Sequence, residues 1–314
     1  MTTAYTLFNI LVFPGFLFLT TYALLAEFVD RKLYARFQNR FGPPWFQPFA
    51  DFVKLVSKET IIPCDADRRM FKLLPLFALA ASYSVFLYIP IWGMESLFSF
   101  NGDVIVVLYL LTIPTIVFSL AGWSSTSLYA TVGSLRTMTQ LFAYEVPLFM
   151  AILSPALLSG SWSITEMAKY YHDFPLHILF NIPAFVVALI AVQGKLERLP
   201  FDIPEAETEI VHGAFIEYSG GLLAMFRLAT DVEMIVLSAL LSAIFFPLFV
   251  ENPIIGMLLF FVKTLFIIFL LAIMRSVLAR IRIDQMVRFC WLYLAPISTL
   301  QILLIIIAKG VLLQ

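Results

Sequence analysis

Apolar runs of about twenty residues recur along the whole chain, and the polar stretches between them hold nearly all the charge. Eight runs are long enough to cross a bilayer: 5–26, 73–92, 104–122, 143–160, 175–194, 222–250 (with a polar first part), 255–274 and 289–308. Backbone groups in lipid must be satisfied within their own segment, so each run predicts a helix. A shorter pattern follows the first run. Gly42-Pro43-Pro44 breaks the chain, and then Trp45, Phe46, Phe49, Phe52, Val53 and Val56 recur at near-helical spacing, opposite Asp51, Lys54 and Lys58. That pattern predicts a short amphipathic helix lying along the membrane surface. The expected fold class is an all-α integral membrane protein with eight transmembrane helices and a surface helix after the first.

Composition agrees with this pattern. The chain is 61% hydrophobic and 13% charged, with a mean hydropathy of +0.93. The spacing of the runs leaves no room for a soluble domain, so residues 1–314 read as one polytopic membrane domain. The first run has no Lys or Arg before residue 31, and no small-residue cleavage site follows it. It is expected as a retained helix and not as a signal peptide.

Charge placement sets the expected topology. Loop 27–72 holds nine Lys and Arg, loop 123–142 one, loop 195–233 three and loop 275–288 four. The alternate set of connections holds only Lys169 and Lys309. By the positive-inside rule the four richer loops face the cytoplasm and both termini lie outside. The expected location is a prokaryotic cytoplasmic membrane.

Much familiar chemistry has no motif here. Cys64 and Cys290 are far apart and outside any CxxC, and His172, His177 and His212 lack metal-ligand spacing. No phosphate-binding glycine motif is present. No metal or cofactor is therefore expected in this chain.

The concentration of acid is the positive signal. In RLPFDIPEAETEIVHGAFIEYSG, residues 198–220, Asp202, Glu205, Glu207, Glu209 and Glu217 fall within sixteen residues. Pro204 suits the first turn of a short helix, which would place Glu205, Glu209 and His212 on one face. Crowded, part-buried carboxylates hold their protons to higher pH, which suits a proton relay. A solvated acidic loop matched to Lys195, Arg198 and Arg227 is the plainer alternative. Asp231 and Glu233 open the next apolar run. Glu145 stands at the expected cytoplasmic mouth of the fourth span, and Lys263 stands near the middle of the seventh. Ionisable groups at such depths are costly and commonly functional.

Taken together, these stretches resemble a family. RLPFDIPEAETEIVHGAFIEYSG resembles the fifth-to-sixth-helix loop of the complex I membrane subunit that joins the redox arm to the pumping arm, and of its counterparts in energy-converting membrane-bound [NiFe] hydrogenases. EFVDRKLYARFQNRFGPPWFQPFADFVKL resembles that family's first loop and surface helix. AGWSSTSLYATVGSLRTMTQLFAYEVPL resembles its third-to-fourth-helix segment, and RIRIDQMVRFCW its last cytoplasmic stretch. The resemblance implies a proton relay through Asp202, Glu205, Glu207, Glu209 and Glu217 to Glu145. It implies that Glu27, Arg36 and Arg40 mark a redox-module docking site or a quinone-like cavity. It also implies partner subunits: a cytoplasmic hydrogenase-like large subunit, small subunits carrying iron–sulfur clusters, possible access to a [NiFe] centre in that module, and antiporter-like membrane subunits. Three departures from the quinone-reducing members favour the hydrogenase branch or the related sulfur-reducing complexes. The segment Gly42–Pro48 is compact, ARIRIDQ lacks a proline before the arginine, and Leu292 follows Trp291.

The expected function is thus a membrane subunit of a redox-driven proton- or sodium-pumping complex, not catalytic alone. A quinone-chamber subunit is the nearest alternative. A stand-alone secondary transporter using the acidic cluster for ion coupling is an alternative of another class, though no internal repeat supports it, and Lys263 is a candidate for a mid-membrane ion path.

Overall fold

The computed structural model describes residues 3–91, 93, 95–248, 250 and 252–311, and the regular structure among them is helical. In chain order the helices are α1 (Thr3–Leu11), α2 (Phe16–Phe37), α3 (Gln47–Val56), α4 (Arg68–Phe86), α5 (Asp103–Ser124), α6 (Leu128–Ser159), α7 (Ile164–Asp173), α8 (Ile182–Lys195), α9 (Glu207–Ile210), α10 (Gly220–Phe245), α11 (Pro253–Val277), α12 (Ile283–Phe289) and α13 (Ala295–Val311). A 3₁₀ turn, Pro175–Asn181, leads into α8, and a π turn, Cys290–Leu294, joins α12 to α13. Eight of the resulting segments are long and apolar enough to cross a membrane, in the positions the hydropathy predicts.

The helix ends follow local chemistry. Asp67 caps α4 by accepting from the Arg69 and Met70 amides at 2.9 and 3.3 Å. Asn252 caps α11 in the same way, with Pro253 at the first helical position. Pro14, which has no amide hydrogen, separates α1 from α2. Pro75, Pro114, Pro147 and Pro155 lie within helices, as membrane bundles tolerate.

Helix α10 is the axis of the bundle. Of its most apolar window 89% is buried, against 33% for α11. It packs against α2, α3, α4 and α11, and a continuous core of Leu, Ile, Val, Ala and Phe surrounds it. It is therefore apolar nearly all round, as a fully enclosed helix must be. The outward faces of α11 and α13 carry Ile254, Leu258, Val262, Leu303, Leu304 and Ile307 in the open, as lipid-facing surface.

Two sequence boundaries move. Helix α2 continues to Phe37, so Glu27, Asp30 and Arg36 lie on a helix where a loop from residue 27 was expected. The expected loop 123–142 is helical from Leu128 onward. Helix α6 has 32 residues, and at about 1.5 Å each it extends well past a hydrocarbon core of roughly 30 Å. Glu145 consequently sits near the middle of the helix. In both cases charged residues continue a helix because other elements neutralise them, which hydropathy along one chain does not show.

The surface helix is present as α3. Its apolar set divides, with Phe49 and Phe52 packed on the core and Trp45, Phe46, Val53 and Val56 exposed.

Candidate functional site

The link between α8 and α10 is the structural centre of the site. Gln140 on α6, fully buried, donates through Nε2 to the Gly194 carbonyl at 2.7 Å and the Phe201 carbonyl at 2.9 Å. Gln193 donates to the Leu199 carbonyl at 2.5 Å, and the Ile281 amide donates to the Pro200 carbonyl at 3.2 Å. These bonds hold residues 194–203 folded inward, so their charged side chains enter the protein. Farther along, the link lies directly on α6: a Cβ on Gly133 would come within 2.5 Å of the Ala214 amide nitrogen. Only glycine permits that approach.

Arg198 enters a buried network at the base of α2. Its guanidinium meets Glu27 Oε2 at 3.0 Å and Asp30 Oδ2 at 2.9 Å. Arg275 of α11 meets the same Asp30 oxygen at 2.8 Å and lies over the Tyr34 ring at 4.5 Å. Arg31 bridges Glu27 Oε1 at 2.7 Å and Asp51 Oδ2 of α3 at 2.9 Å. Burial alone would weaken the Arg198 charge, but Asp30 and Glu27 outweigh it and raise its pKa. Asp51 also accepts from Gln47 at 2.9 Å. Its desolvation is outweighed by the Arg31 and Gln47 hydrogen bonds, which hold its carboxyl below the usual range.

Above this network lies a cavity of about 520 Å³, between α2, α3, α10 and the 196–205 segment. Twelve of its twenty-one lining residues are ionisable: acidic Glu27, Asp51, Glu197, Asp202, Glu205 and Asp231, and basic Arg31, Lys54, Lys58, Arg198, Arg227 and Arg275. Glu197 adopts φ +51°, and its Oε1 is enclosed without a hydrogen-bond partner. Burial, reinforced by the charges of Glu205 and Glu233, holds the Glu197 carboxyl well above the usual carboxylate range.

Deeper still, Lys195 at the end of α8 meets Glu233 of α10. Nζ is 2.7 Å from Glu233 Oε1, and both side chains are almost completely buried, at 2% and 1% exposure. Nζ also donates to the Leu111 carbonyl at 2.6 Å and to Thr115 Oγ1 at 3.1 Å. Thr115 is hydrogen-bonded to the Tyr144 hydroxyl at 3.0 Å. The Lys195 charge acts on half-buried Glu145, the neighbour of Tyr144.

The predicted residues divide accordingly. Glu27, Asp202 and Glu205 line the cavity. Glu145 lies in the field of the deep pair. Glu209 points elsewhere and pairs with Arg136 at 2.6 Å beside a second cavity of about 360 Å³. Hydrogen bonding and charge from Arg136 hold the Glu209 carboxyl below the usual range. The helix expected from Pro204 is only α9, four residues long, and Val211 at φ +62° ends it. Glu205, Glu209 and His212 therefore share no helical face; the His212 ring lies 3.0 Å from Arg227. Glu207 begins α9, but its side chain lies outside the described residues. Glu217 is half-buried beside the start of α10. Arg36 and Arg40 are exposed and do not line the cavity; Arg36 lies 5.7 Å from the Phe41 ring. Lys263 donates to the Phe246 and Leu248 carbonyls at 3.1 and 3.2 Å, where the C-terminal end of α10 favours a cation.

Sequence reading treated Lys195 and Arg198 as solvent-side partners and did not single out Glu197. Their position, just past an apolar run, looks like the ordinary charged end of a span. The available signal was the density of charge in KLER, too high for a helix end that merely reaches water.

Fold and site together define a multi-pass helical membrane subunit whose buried charges cluster under one face. The chain belongs to the NADH dehydrogenase family, which it matches over residues 9–306. It is 36% identical over 300 residues to an NADH-quinone oxidoreductase subunit of Thermus thermophilus, covering 90% of this chain and 81% of that protein. It is 35% identical over 288 residues to an NADH-quinone oxidoreductase subunit of Dehalococcoides mccartyi, with the same coverage of 90% and 81%. A chain of the membrane-bound sulfane sulfur reductase, an archaeal respiratory membrane complex, has the same fold with a TM-score of 0.85 and 26% identity, over 92% of this chain and 96% of that one. The protein is thus a cell-membrane subunit of a multi-subunit respiratory complex.

Proposed function

We propose that this subunit anchors a cytoplasmic redox module and converts its turnover into ion movement through the membrane. The module would seat on the face formed by the 38–67 and 196–219 segments, with the exposed Arg36 and Arg40 available for docking. Its clusters, and a [NiFe] centre where one exists, would belong to partner subunits. The 17-to-2 distribution of Lys and Arg supports a cytoplasmic orientation for this face, with both termini outside.

The observation that carries the proposal is the charged cavity, lined by Glu197, close in sequence to Lys195 of the buried Lys195–Glu233 pair. Charge changes at Asp202 and Glu205 act on Glu197, and thence on Glu233 and Glu145. Antiporter-like subunits would take the ion onward. Glu217 and Glu207 remain candidate relay members at the margin, whereas Glu209 is held by Arg136.

The dense charge of the cavity also favours the hydrogenase or sulfane-reductase branch. Six carboxylates and six cations make a wet, polar lining, which is a poor bed for an isoprenoid quinone tail. A quinone chamber is the second possibility, favoured by the identity to relatives named as NADH-quinone oxidoreductase subunits.

The test begins with the intact complex, purified through a tag on this chain. Nickel together with iron identifies a hydrogenase, and iron without nickel points to a sulfur or quinone acceptor. Reconstituted into liposomes, the Glu145→Gln complex should keep redox turnover and lose ion translocation. Translocation at the original stoichiometry would refute the relay.

A further inference from the structure

The second cavity, of about 360 Å³, lies where α6, the 203–209 segment and the 280–284 link meet. The guanidiniums of Arg136, Arg280 and Arg282 line it against the carboxylates of Glu209 and Asp284, which leaves a surplus of one positive charge. Arg136 pairs with Glu209 at 2.6 Å, and Arg280 donates to the Asp202 carbonyl. Among the described residues no carboxylate forms an ion pair with Arg280 or Arg282. Arg282 is exposed, and the charges of all three arginines act on Glu209.

Two helices fix the depth of this cavity in the membrane. On the far side of the bundle Lys309 of α13 donates to the Leu157 carbonyl of α6 at 2.9 Å, so these residues lie close to one level. A hydrocarbon core of roughly 30 Å takes about twenty helical residues at 1.5 Å each. Counting back about twenty from Leu157 reaches Thr137, the neighbour of Arg136. The same count of about twenty from Lys309 reaches Phe289 at the end of α12, and Arg282, which precedes α12, is about 10 Å farther out. The cavity between Arg136 and Arg282 therefore spans the headgroup layer, roughly 5–8 Å deep on each side of a bilayer. Trp291 and Tyr293 are exposed just below it, where interfacial aromatics belong.

We propose that this cavity binds the phosphate of an anionic membrane phospholipid, held by Arg280 and Arg282 with Arg136 at the hydrocarbon edge. A phosphodiester supplies the one negative charge that the lining lacks, and guanidinium forks match phosphate oxygens in pairs. Basic pockets between membrane helices suit such headgroups. The surroundings suit the rest of the lipid. Leu135 beside Arg136, and Val277 and Leu278 before Arg280, are exposed apolar side chains on which acyl chains can lie. A soluble acidic partner would meet the charge and leave these side chains uncovered. The bound phosphate would also tie α6 to the 202–209 segment, because Arg280 donates to the Asp202 carbonyl and Arg136 reaches the Ile203 carbonyl at 3.5 Å. This site stands apart from the ion-pumping function and requires only that the chain sit in a membrane.

The experiment uses the whole complex, depleted of lipid in mild detergent and then given phosphatidylglycerol, phosphatidylcholine or inorganic phosphate. Hydrogen exchange at the amides of 203–210 and 281–288 reads occupancy of the cavity, with α10 as the internal reference. Phosphatidylglycerol should slow exchange in both segments severalfold, whereas the other two should not at the same concentration. Arg282→Gln should raise the phosphatidylglycerol concentration needed by about fivefold, the share of one interfacial cation. Arg282→Lys keeps the charge and should stay within about twofold of wild type. Glu209→Gln removes a competing carboxylate and should lower the concentration needed. A purely structural Glu209 would give no such gain.

Equal protection by inorganic phosphate would overturn the lipid assignment and leave a free-anion site. Equal protection by phosphatidylcholine would show that net charge does not select the ligand, and would overturn it as well. So would a wild-type response in Arg282→Gln. If both segments are protected before lipid is added and open only when the cytoplasmic subunits are removed, a protein partner fills the cavity and the proposal fails. Should Arg282→Gln not assemble, the direction of the Glu209→Gln shift decides, and an unchanged or weaker response refutes the site.

Discussion

Glu209 Oε2 lies 2.6 Å from Arg136 Nη1, so α6 draws this carboxylate away from the cavity that Asp202 and Glu205 line. The acidic cluster is therefore two sites and not one. The ion pair is partly exposed, with Glu209 the more open partner, and pairs open to solvent contribute at most about 1 kcal/mol. Glu209→Gln should assemble normally and move ions within about twofold of wild type, whereas Glu205→Gln should lose at least about tenfold. Translocation assays on both variants in liposomes check this division. Equal losses would return Glu209 to the relay.

Glu197 yields a pH prediction with a definite sign. Its carboxyl is held well above the usual range by burial and by Glu205 and Glu233. Between the unfolded and the folded pKa the native state binds the proton that the unfolded chain has already lost. Stability therefore falls as pH rises through that window, after being fully present below it. Glu197→Gln removes this dependence. As pH rises above the ordinary carboxylate range, the purified wild-type complex should lose melting temperature more steeply than the variant, on the roughly unit-per-1.4 kcal/mol scale of proton linkage. Parallel pH profiles in thermal melts would contradict the burial of Glu197.

Arg198 holds Glu27 and the fully buried Asp30 at 3.0 and 2.9 Å. Removing it leaves a carboxylate network with too little positive charge at the base of α2. Arg198→Ala should cost about 3–5 kcal/mol, the range for breaking a buried ion pair. Arg198→Lys should recover only part of this, since one ammonium cannot reproduce the forked contact to two carboxylates. Thermal stability in mild detergent measures both. A loss confined to the alanine variant would show that charge suffices and geometry does not matter.

How much of this was legible in the sequence depends on which physical rule controls each part. Hydropathy located all eight spans because lipid enforces apolar composition residue by residue. The surface helix was equally visible in the spacing from Phe49 to Val56. The helix expected from Pro204 failed because the backbone of 204–215 is set by close packing on Gly133 of α6, a tertiary constraint with no local signature. Lys195 and Glu233 lie 38 positions apart, and either alone reads as a charge at a span end. Only the packing of α8 against α10 shows that they form one buried ion pair. Asp202 and Glu205 stand out in the sequence because acid density is a local property, and Glu145 because it is a lone carboxylate in an apolar run. The cations that govern them are brought in from other helices.

The last prediction concerns α3 as a cover over the cavity. Arg31 of α2 reaches Asp51 at 2.9 Å, and Gln47 reinforces the same carboxylate. Pro48, Phe52 and Leu55 of α3 form part of the cavity wall, while Val53 and Val56 face outward. The Asp51 carboxyl is held below the usual range, so its contribution is present above that range and is lost as pH falls through its folded pKa. Asp51→Asn removes the charge while keeping the side-chain shape. Hydrogen exchange at the amides of 47–56 should then quicken severalfold at pH 7, with exchange in α10 unchanged, because only the cover is released. In the wild type the same acceleration should emerge on acidification below the ordinary carboxylate range. If the variant exchanges at the wild-type rate, then Phe49 and Phe52 anchor α3 by packing alone, and the Arg31–Asp51 contact is incidental to closing the cavity.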